Sequence, residues 1–340
     1  MTSRERVLSV LKKEEVDRFP RDLWALPYIN VFKKEEKEEL LRLFPSDLGY
    51  APVICGESRY INKNENENST RWTDDFGCVF EVGEPGVVGE VKDPILKTLE
   101  DIEKYEIPYE VIDNADFSQT EEAYNNSDEF VRCAMNVRPF EQMQFLRGTE
   151  ELFMDMALGE RTFDILSEKI HDFNVKATEE VCKNAFADAY SFMDDWGSQK
   201  ALLISPELWR EKFKPMYKAY CDIAHKYNKY VFFHSDGFIE DIYPDLIEIG
   251  VDAVNSQLFC MDSDKLINEY GNDIVFWGEI DRQYVLPFGT KVDVKNAVDK
   301  IAKKSIEKHG YKTGIIAQSE WGKDVSFETM KLLFEQFNRY

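Results

Sequence analysis

The sequence predicts an α/β fold, a closed (β/α)8 TIM barrel, and three observations carry that prediction. Short apolar segments of strand type recur eight times, long amphipathic helical patterns separate most of them, and no Gly-rich phosphate loop follows any strand. Strands alternating with helices favour parallel barrels, and the missing phosphate loop disfavours a dinucleotide-binding sheet. The strand candidates are RFPRDLWA and SDLGYAPVI near the N-terminus, then EFVRCAMNV, DAYSFMDD, KYVFFHSDG, VDAVNSQ, DIVFWGEID and TGIIAQSE.

Taken in order, TSRERVLSVLKKEEV opens the chain as a helix. Thr2 and Glu5 have the spacing of a capping box, and Val7, Leu8 and Leu11 share one face. KKEEKEELLRLF predicts a second charged amphipathic helix. The polar run NKNENENST, ending at Thr70, reads as a mobile loop. The aromatic, valine and glycine mixture of RWTDDFGCVFEVGEPGVVGEVKDP predicts a β-hairpin or small antiparallel sheet around residues 71–95, an excursion from the barrel. Further on, Ser205 is an N-cap with Pro206 at the first helical position of SPELWREKFKPMYKAYCDIAHKYN. KVDVKNAVDKIAKKSIEKHG stops at Gly310. No repeat or Pro/Gly/Ser linker divides the chain, so residues 1–340 are expected to form a single barrel domain.

The 340 residues are 43% hydrophobic and 31% charged, with 42 Lys and Arg against 65 Asp and Glu and a formal net charge of −23. Such a field repels phosphate backbones and anionic lipid, which excludes nucleic acid and membrane surfaces as partners. A polyanionic substrate would need a local basic pocket. The opening segment lacks a long apolar core and a small-residue cleavage site, and no apolar run approaches about 20 residues. A cytoplasmic protein is therefore expected. Cys55, Cys78, Cys133, Cys182, Cys221 and Cys260 form no CxxC pair, so zinc ribbons and iron–sulfur runs are not offered and reduced, packed thiols are expected.

Function is written where the apolar runs stop. Successive strands end in Asp194-Asp195 with Gln199 nearby, in His234 and Asp236, in Asn255 and Gln257, in Glu279, Asp281, Arg282 and Gln283, and in Glu320. In a β/α barrel these ends converge on one rim, where catalytic groups sit. Singly, each cluster has a plainer explanation; Asp236 could merely cap the following helix. Five together predict a polar functional rim. The H-x-D spacing puts His234 and Asp236 on one side of an extended strand, able to share a metal or a proton. Arg138 and Glu141 follow EFVRCAMNV and enter the rim from that side. Arg282 either pairs with Glu320 or Asp281 or clamps a substrate carboxylate. Trp24, Trp196, Trp277 and Trp321 lie near strand ends, as core filling or as an aromatic wall for a flat ligand or methylated cation.

The stretch from DDWGSQ through HSDGF to VDAVNSQ resembles the uroporphyrinogen decarboxylase superfamily. RPFEQMQFLRGTEELFMDM is similar to its Pro-Phe…Arg-Gly segment, FWGEIDRQYVLPFGT and GIIAQSEWG resemble its last two strands, and RERVLSVLKKEEVDRFP matches its start. The resemblance covers nearly the whole chain and implies a (β/α)8 barrel with a cleft at the C-terminal rim. True decarboxylases carry an early Arg-Gln-Ala-Gly-Arg segment that holds substrate carboxylates. Here RFPRDLWALPYINVF keeps Arg18 and Arg21 without the rest, which disfavours uroporphyrinogen decarboxylation.

The superfamily's other branch moves methyl groups to or from a corrinoid protein. Its thiol-activating members bind zinc through His-x-Cys and a further Cys on the last strand. Here those positions read His234-Ser235-Asp236 and Ser319-Glu320. One histidine with two carboxylates is still a set for zinc or another divalent ion, with a position left open for substrate. A metal on His234, Asp236 and Glu320, or a protonated Glu320, could activate the oxygen of a methyl ether. The leading expectation is a corrinoid-dependent methyltransferase acting on a small methylated substrate, with His234, Asp236, Glu320 and Asp195 catalytic. Gln199, which with Asp195 resembles the family's DD-x-G-x-Q segment, Asn255, Gln257, Asp281, Arg282 and Arg138 are expected to bind substrate or corrinoid. No Asp-x-His-x-x-Gly segment occurs, so the corrinoid is expected on a separate protein. A homodimer is the family expectation. The rival readings are a uroporphyrinogen decarboxylase, a barrel that binds a small molecule or corrinoid protein without turnover, and a divalent-metal lyase or hydrolase.

Overall fold

The computed structural model describes residues 1–61, 70–83 and 89–340. Eight strands run parallel: β1 (Arg21–Ala25), β2 (Leu48–Tyr50), β3 (Phe130–Cys133), β4 (Ala189–Met193), β5 (Tyr230–Ser235), β6 (Ala253–Ser256), β7 (Val275–Trp277) and β8 (Ile315–Trp321). Each pairs with its neighbour in sequence and β8 returns to β1, leaving one seam between β1 and β2. Asp47 N spans that seam to Arg21 O at 2.8 Å, so the sheet is nearly closed into a barrel.

Two apolar layers explain why these segments become strands. One face of each strand fills the barrel interior, through Leu48, Phe130, Ala189, Phe232, Ala253, Val275 and Ile316. The N-terminal helix Ser3–Leu11 closes the bottom of that interior with Val7 and Val10, and its Thr2–Glu5 capping box is formed. The opposite strand faces pack under the surrounding helices in a second, larger cluster. Alternation of side chains along each strand feeds both layers at once.

Three short antiparallel strands, Arg71–Thr73, Val79–Glu81 and Glu90–Val91, form the expected excursion. Trp72 stacks on Phe80 at 4.2 Å, and Phe80 meets Phe145 of the helix Pro139–Arg147, which docks the small sheet on the barrel. The polar run before it lies outside the described residues apart from Thr70. One predicted helix is corrected: the segment after Ser205 is two helices, Pro206–Lys212 and Lys214–Lys226. Pro215 has no N–H for the carbonyl one turn back, so the helix restarts there. The helix Lys291–His309 ends at Gly310 in the left-handed region, as expected. Among the described residues no helix is long and apolar enough to cross a membrane.

Candidate active site

Strands β4 and β5 are neighbours in the sheet, with Met193 in register with His234. The loops leaving them touch through backbone. Gly197 N donates to Asp236 O at 3.0 Å, and Phe238 N donates to Ser198 O at 2.7 Å. Gly237 has φ +78°, and a Cβ there would lie 2.1 Å from Gly197 O, so the crossing requires glycine. This contact sets Asp195 beside Asp236, whose N–H donates to Asp195 Oδ1 at 2.9 Å. Asp236 caps no helix, since the next turn of helix begins after Ile239.

His234 is oriented from behind. Its register partner on β6 is Asn255, and His234 Nδ1 lies 2.6 Å from Asn255 Oδ1. The Asn255 amide donates to Trp277 O and, at 3.0 Å, to Gln318 Oε1. Both are acceptors, so the Asn255 oxygen must face the ring and His234 Nδ1 must carry the hydrogen. That turns Nε2 toward Asp195 Oδ1 at 3.6 Å and Asp236 Oδ1 at 3.8 Å, where it can serve as a metal ligand. Asn255 is 1% exposed, so the expectation that it donates to substrate gives way to a role in fixing the imidazole.

Asp195, His234 and Asp236 can each point one ligand atom at a common ion, with those atoms within 4.8 Å of one another. Asp236 Oδ1 is buried without a hydrogen-bond partner, which is the expected state of a metal-ligand oxygen. A divalent cation preferring nitrogen and oxygen, such as zinc, fits this set. Glu320 is not in that ligand group, though Asp236 and His234 both act on its charge. It is in register with Trp24 across β8 and β1, and it pairs with Arg282. Arg282 also pairs with Asp236, and its Nε lies 3.4 Å from Glu279 Oε2. Glu279 is 3% exposed and neither of its oxygens has a hydrogen bond. Burial pushes its carboxyl well above the usual range, against the pull of Arg282. Burial raises the Glu320 carboxyl too, again opposed by Arg282. The third carboxylate grouped with His234 and Asp236 is therefore Asp195, while Glu320 shares the Arg282 guanidinium with Asp236.

Behind His234 lies a cavity of about 280 Å³, lined by Trp24, Tyr50, Val137, Phe192 and Trp277 and by the imidazole itself. The Trp24 and His234 ring centroids are 5.0 Å apart. Trp196 and Trp321 are instead fully buried in the outer core. Thus two of the four tryptophans form an aromatic wall and two fill the core.

The remaining sequence-selected residues divide by position. Asp194 is buried and ties down the helix Pro139–Arg147, accepting from Phe140 N and Glu141 N at 2.8 Å each and from Tyr217 Oη at 2.6 Å. Glu141 reaches the rim; burial, then Asp195 and Asp194, push its carboxyl up to about 8, against Arg138. Gln199 and Gln257 meet at 3.5 Å, and Cys260 Sγ is 3.2 Å from Gln199 Oε1. Asp281 accepts from Gln283 N and Tyr284 N at 2.8 Å and shapes its own turn. Arg138 lines a second cavity of about 150 Å³ beside Asp74 and Gln142, which adjoins the His234 cavity at Asn136.

Sequence reasoning missed Asp22, Arg132, Gln318 and Cys260. Asp22 Oδ2 accepts from Trp24 Nε1 at 3.0 Å and Trp277 Nε1 at 2.9 Å, and lies 3.5 Å from Arg132 Nη2. The signal was present, since RDLWA and FVRC each carry a charge inside an apolar run.

Fold and rim together define a β/α-barrel protein with a His/carboxylate centre over an apolar cavity. The chain belongs to the uroporphyrinogen decarboxylase family, whose model, described as Uroporphyrinogen decarboxylase (URO-D), matches residues 72–335. No curated protein matches it in sequence. Among solved structures it is similar to a methyltransferase from Methanosarcina mazei, with TM-score 0.70 and 16% identity over 100% of this chain and 99% of that one. A glycosylated endo-β-1,4-xylanase from Gloeophyllum trabeum gives TM-score 0.46 and 8% identity over 95% of this chain and 97% of that one. These likenesses are of fold, and the xylanase value is too low to align side chains.

Proposed function

We propose that this chain is a methyltransferase that moves a methyl group between a small methylated substrate, of methyl ether type, and a corrinoid carried by a separate protein. One observation carries the reading: His234, whose Nε2 faces Asp195 and Asp236, also lines an aromatic-walled cavity of one-ring size. The full-length fold likeness to a methyltransferase supports it. Arg18 and Arg21 support it over decarboxylation of a porphyrinogen. Arg18 donates to Asp47 at 2.6 and 2.9 Å, and Arg21 begins β1, so both lie at the end of the barrel opposite the rim. Neither can clamp a polycarboxylate substrate there.

Breaking a methyl–oxygen bond leaves charge on the oxygen, and that charge must be neutralised. Asp195, His234 and Asp236 would hold a divalent cation, which would supply Lewis acidity toward that oxygen. Glu141 holds a proton near neutral pH beside Asp195 and can hand it to the departing oxygen. Asn255 keeps the imidazole in one tautomer, and Arg282 keeps Asp236 from swinging away. The cavity orients the donor and excludes water.

The test pairs elemental analysis with a methyl-transfer assay using methyl ethers and a corrinoid acceptor. About one divalent ion per chain, lost in His234→Ala and Asp195→Ala and kept in Glu320→Ala, is the expected result. Undiminished methyl transfer by His234→Ala would end the proposal.

A further inference from the structure

Against the aromatic wall of the His234 cavity packs a charged pair that neither the fold nor the rim explains. Arg132 and Asp22 are 1% and 4% exposed, an ion pair inside the barrel. The Arg132 guanidinium stands 4.2 Å from the Tyr50 ring centroid and 4.4 Å from that of Trp277. Its Nε and Nη1 have no hydrogen-bond partner, so the π faces are what it rests on. Asp22 holds the Trp24 and Trp277 indole N–H groups at the same time.

The four aromatic rings of the cavity, Trp24, Tyr50, Phe192 and Trp277, resemble a cage for a methylated cation. Two of the four, Tyr50 and Trp277, already carry the Arg132 guanidinium, which competes for their π density. Of the nearby carboxylates, Asp22 already pairs with Arg132 and Asp236 with Arg282. We propose that the Asp22–Arg132 pair is the specificity-determining element of the cavity, selecting uncharged ligands of about one-ring size over methylammonium-type cations. The volume of about 280 Å³ suits such a ligand, since an apolar cavity of roughly 150 Å³ already holds benzene. The selectivity belongs to the cavity and holds whether or not methyl transfer occurs.

Calorimetric titration with 3,3-dimethylbutan-1-ol and choline, which differ only in carbon against N⁺, tests it without turnover. The alcohol is expected to bind the native chain about tenfold tighter than choline. In the charge-neutral double variant Asp22→Asn, Arg132→Met, the preference is expected to shrink several-fold toward choline, while the amide oxygen introduced by Asp22→Asn still accepts an indole N–H. Equal or tighter choline binding by the native chain overturns the proposal, as does an unchanged ratio in a folded double variant. A Val137→Trp variant, which fills the cavity, must abolish alcohol binding; binding retained there places the ligand elsewhere and also overturns it. Should the double variant not fold, the native ratio and the blocked cavity decide.

Discussion

Glu141 is the carboxyl on which pH acts most directly. It sits in the first turn of the helix Pro139–Arg147, with its own N–H given to Asp194. Its Oε2 is buried without a hydrogen-bond partner. Burial, then Asp195 and Asp194, raise it from the ordinary 4.5 to about 8, with Arg138 pulling the other way. Between those two pH values the folded chain keeps a proton that the unfolded chain has lost. Stability therefore falls as pH rises from 4.5 toward 8 and levels off above. At about 1.4 kcal/mol per pH unit the whole interval is roughly 4–5 kcal/mol, and water around this half-buried group reduces it to about 2–4 kcal/mol. Glu141→Gln keeps the shape and removes the titration. Urea melts of both proteins at pH 4.5, 6, 7 and 8 isolate the effect by difference. The variant is expected to match the native chain near pH 4.5 and to exceed it by about 2–4 kcal/mol at pH 8. A difference that stays constant with pH, or grows toward acid, refutes a protonated Glu141 and with it the proposed proton donor.

Arg282→Gln removes the guanidinium shared by Asp236, Glu279 and Glu320, and should destabilise the fold by about 3–5 kcal/mol at pH 7.5. Glu279 and Glu320 both have raised pKa values, so the loss should shrink at pH 5; equal losses of Tm at both pH values would contradict the pairing. Asn255→Ala leaves His234 Nδ1, Trp277 O and Gln318 Oε1 without their partner and should cost about 2–4 kcal/mol in chemical denaturation. A loss under about 1 kcal/mol would mean that the imidazole is not held this way. Gly237→Ala forces a Cβ to 2.1 Å from Gly197 O at φ +78° and should lower stability by about 2–4 kcal/mol. Its thermal melt, measured with and without zinc, should also show any metal stabilisation lost, because the crossing it breaks places Asp195 beside Asp236.

The barrel is legible in the sequence because its signal is local. VFFH and IIAQ are apolar over one strand length, and the polar residue that follows each marks the rim without knowledge of the rest. Which rim residues meet is a different kind of fact. Strands in a sheet stand about 4.8 Å apart, so short side chains reach only an adjacent strand. Asp195 and His234 come from neighbouring β4 and β5, whereas β6 and β7 intervene between His234 and Glu320. A reading that treats the rim as a ring of equals cannot separate these cases, and it groups His234 with Glu320 by the family's motif positions. The gap is bridged by the long side chain of Arg282, supplied from the loop after β7. Arg138 shows a second local effect, since Pro139 starts a helix immediately after it and the Arg138 side chain packs over Phe145 beside the cavity at Asp74. Asp22 and Arg132 show the converse case. As charges inside apolar strands they are visible anomalies, but β1 and β3 do not pair with each other, and only closure of the barrel brings the two together. A buried charge in a strand of this fold therefore implies a partner across the interior, and here the aromatic rings packed on the pair stand between it and the cavity.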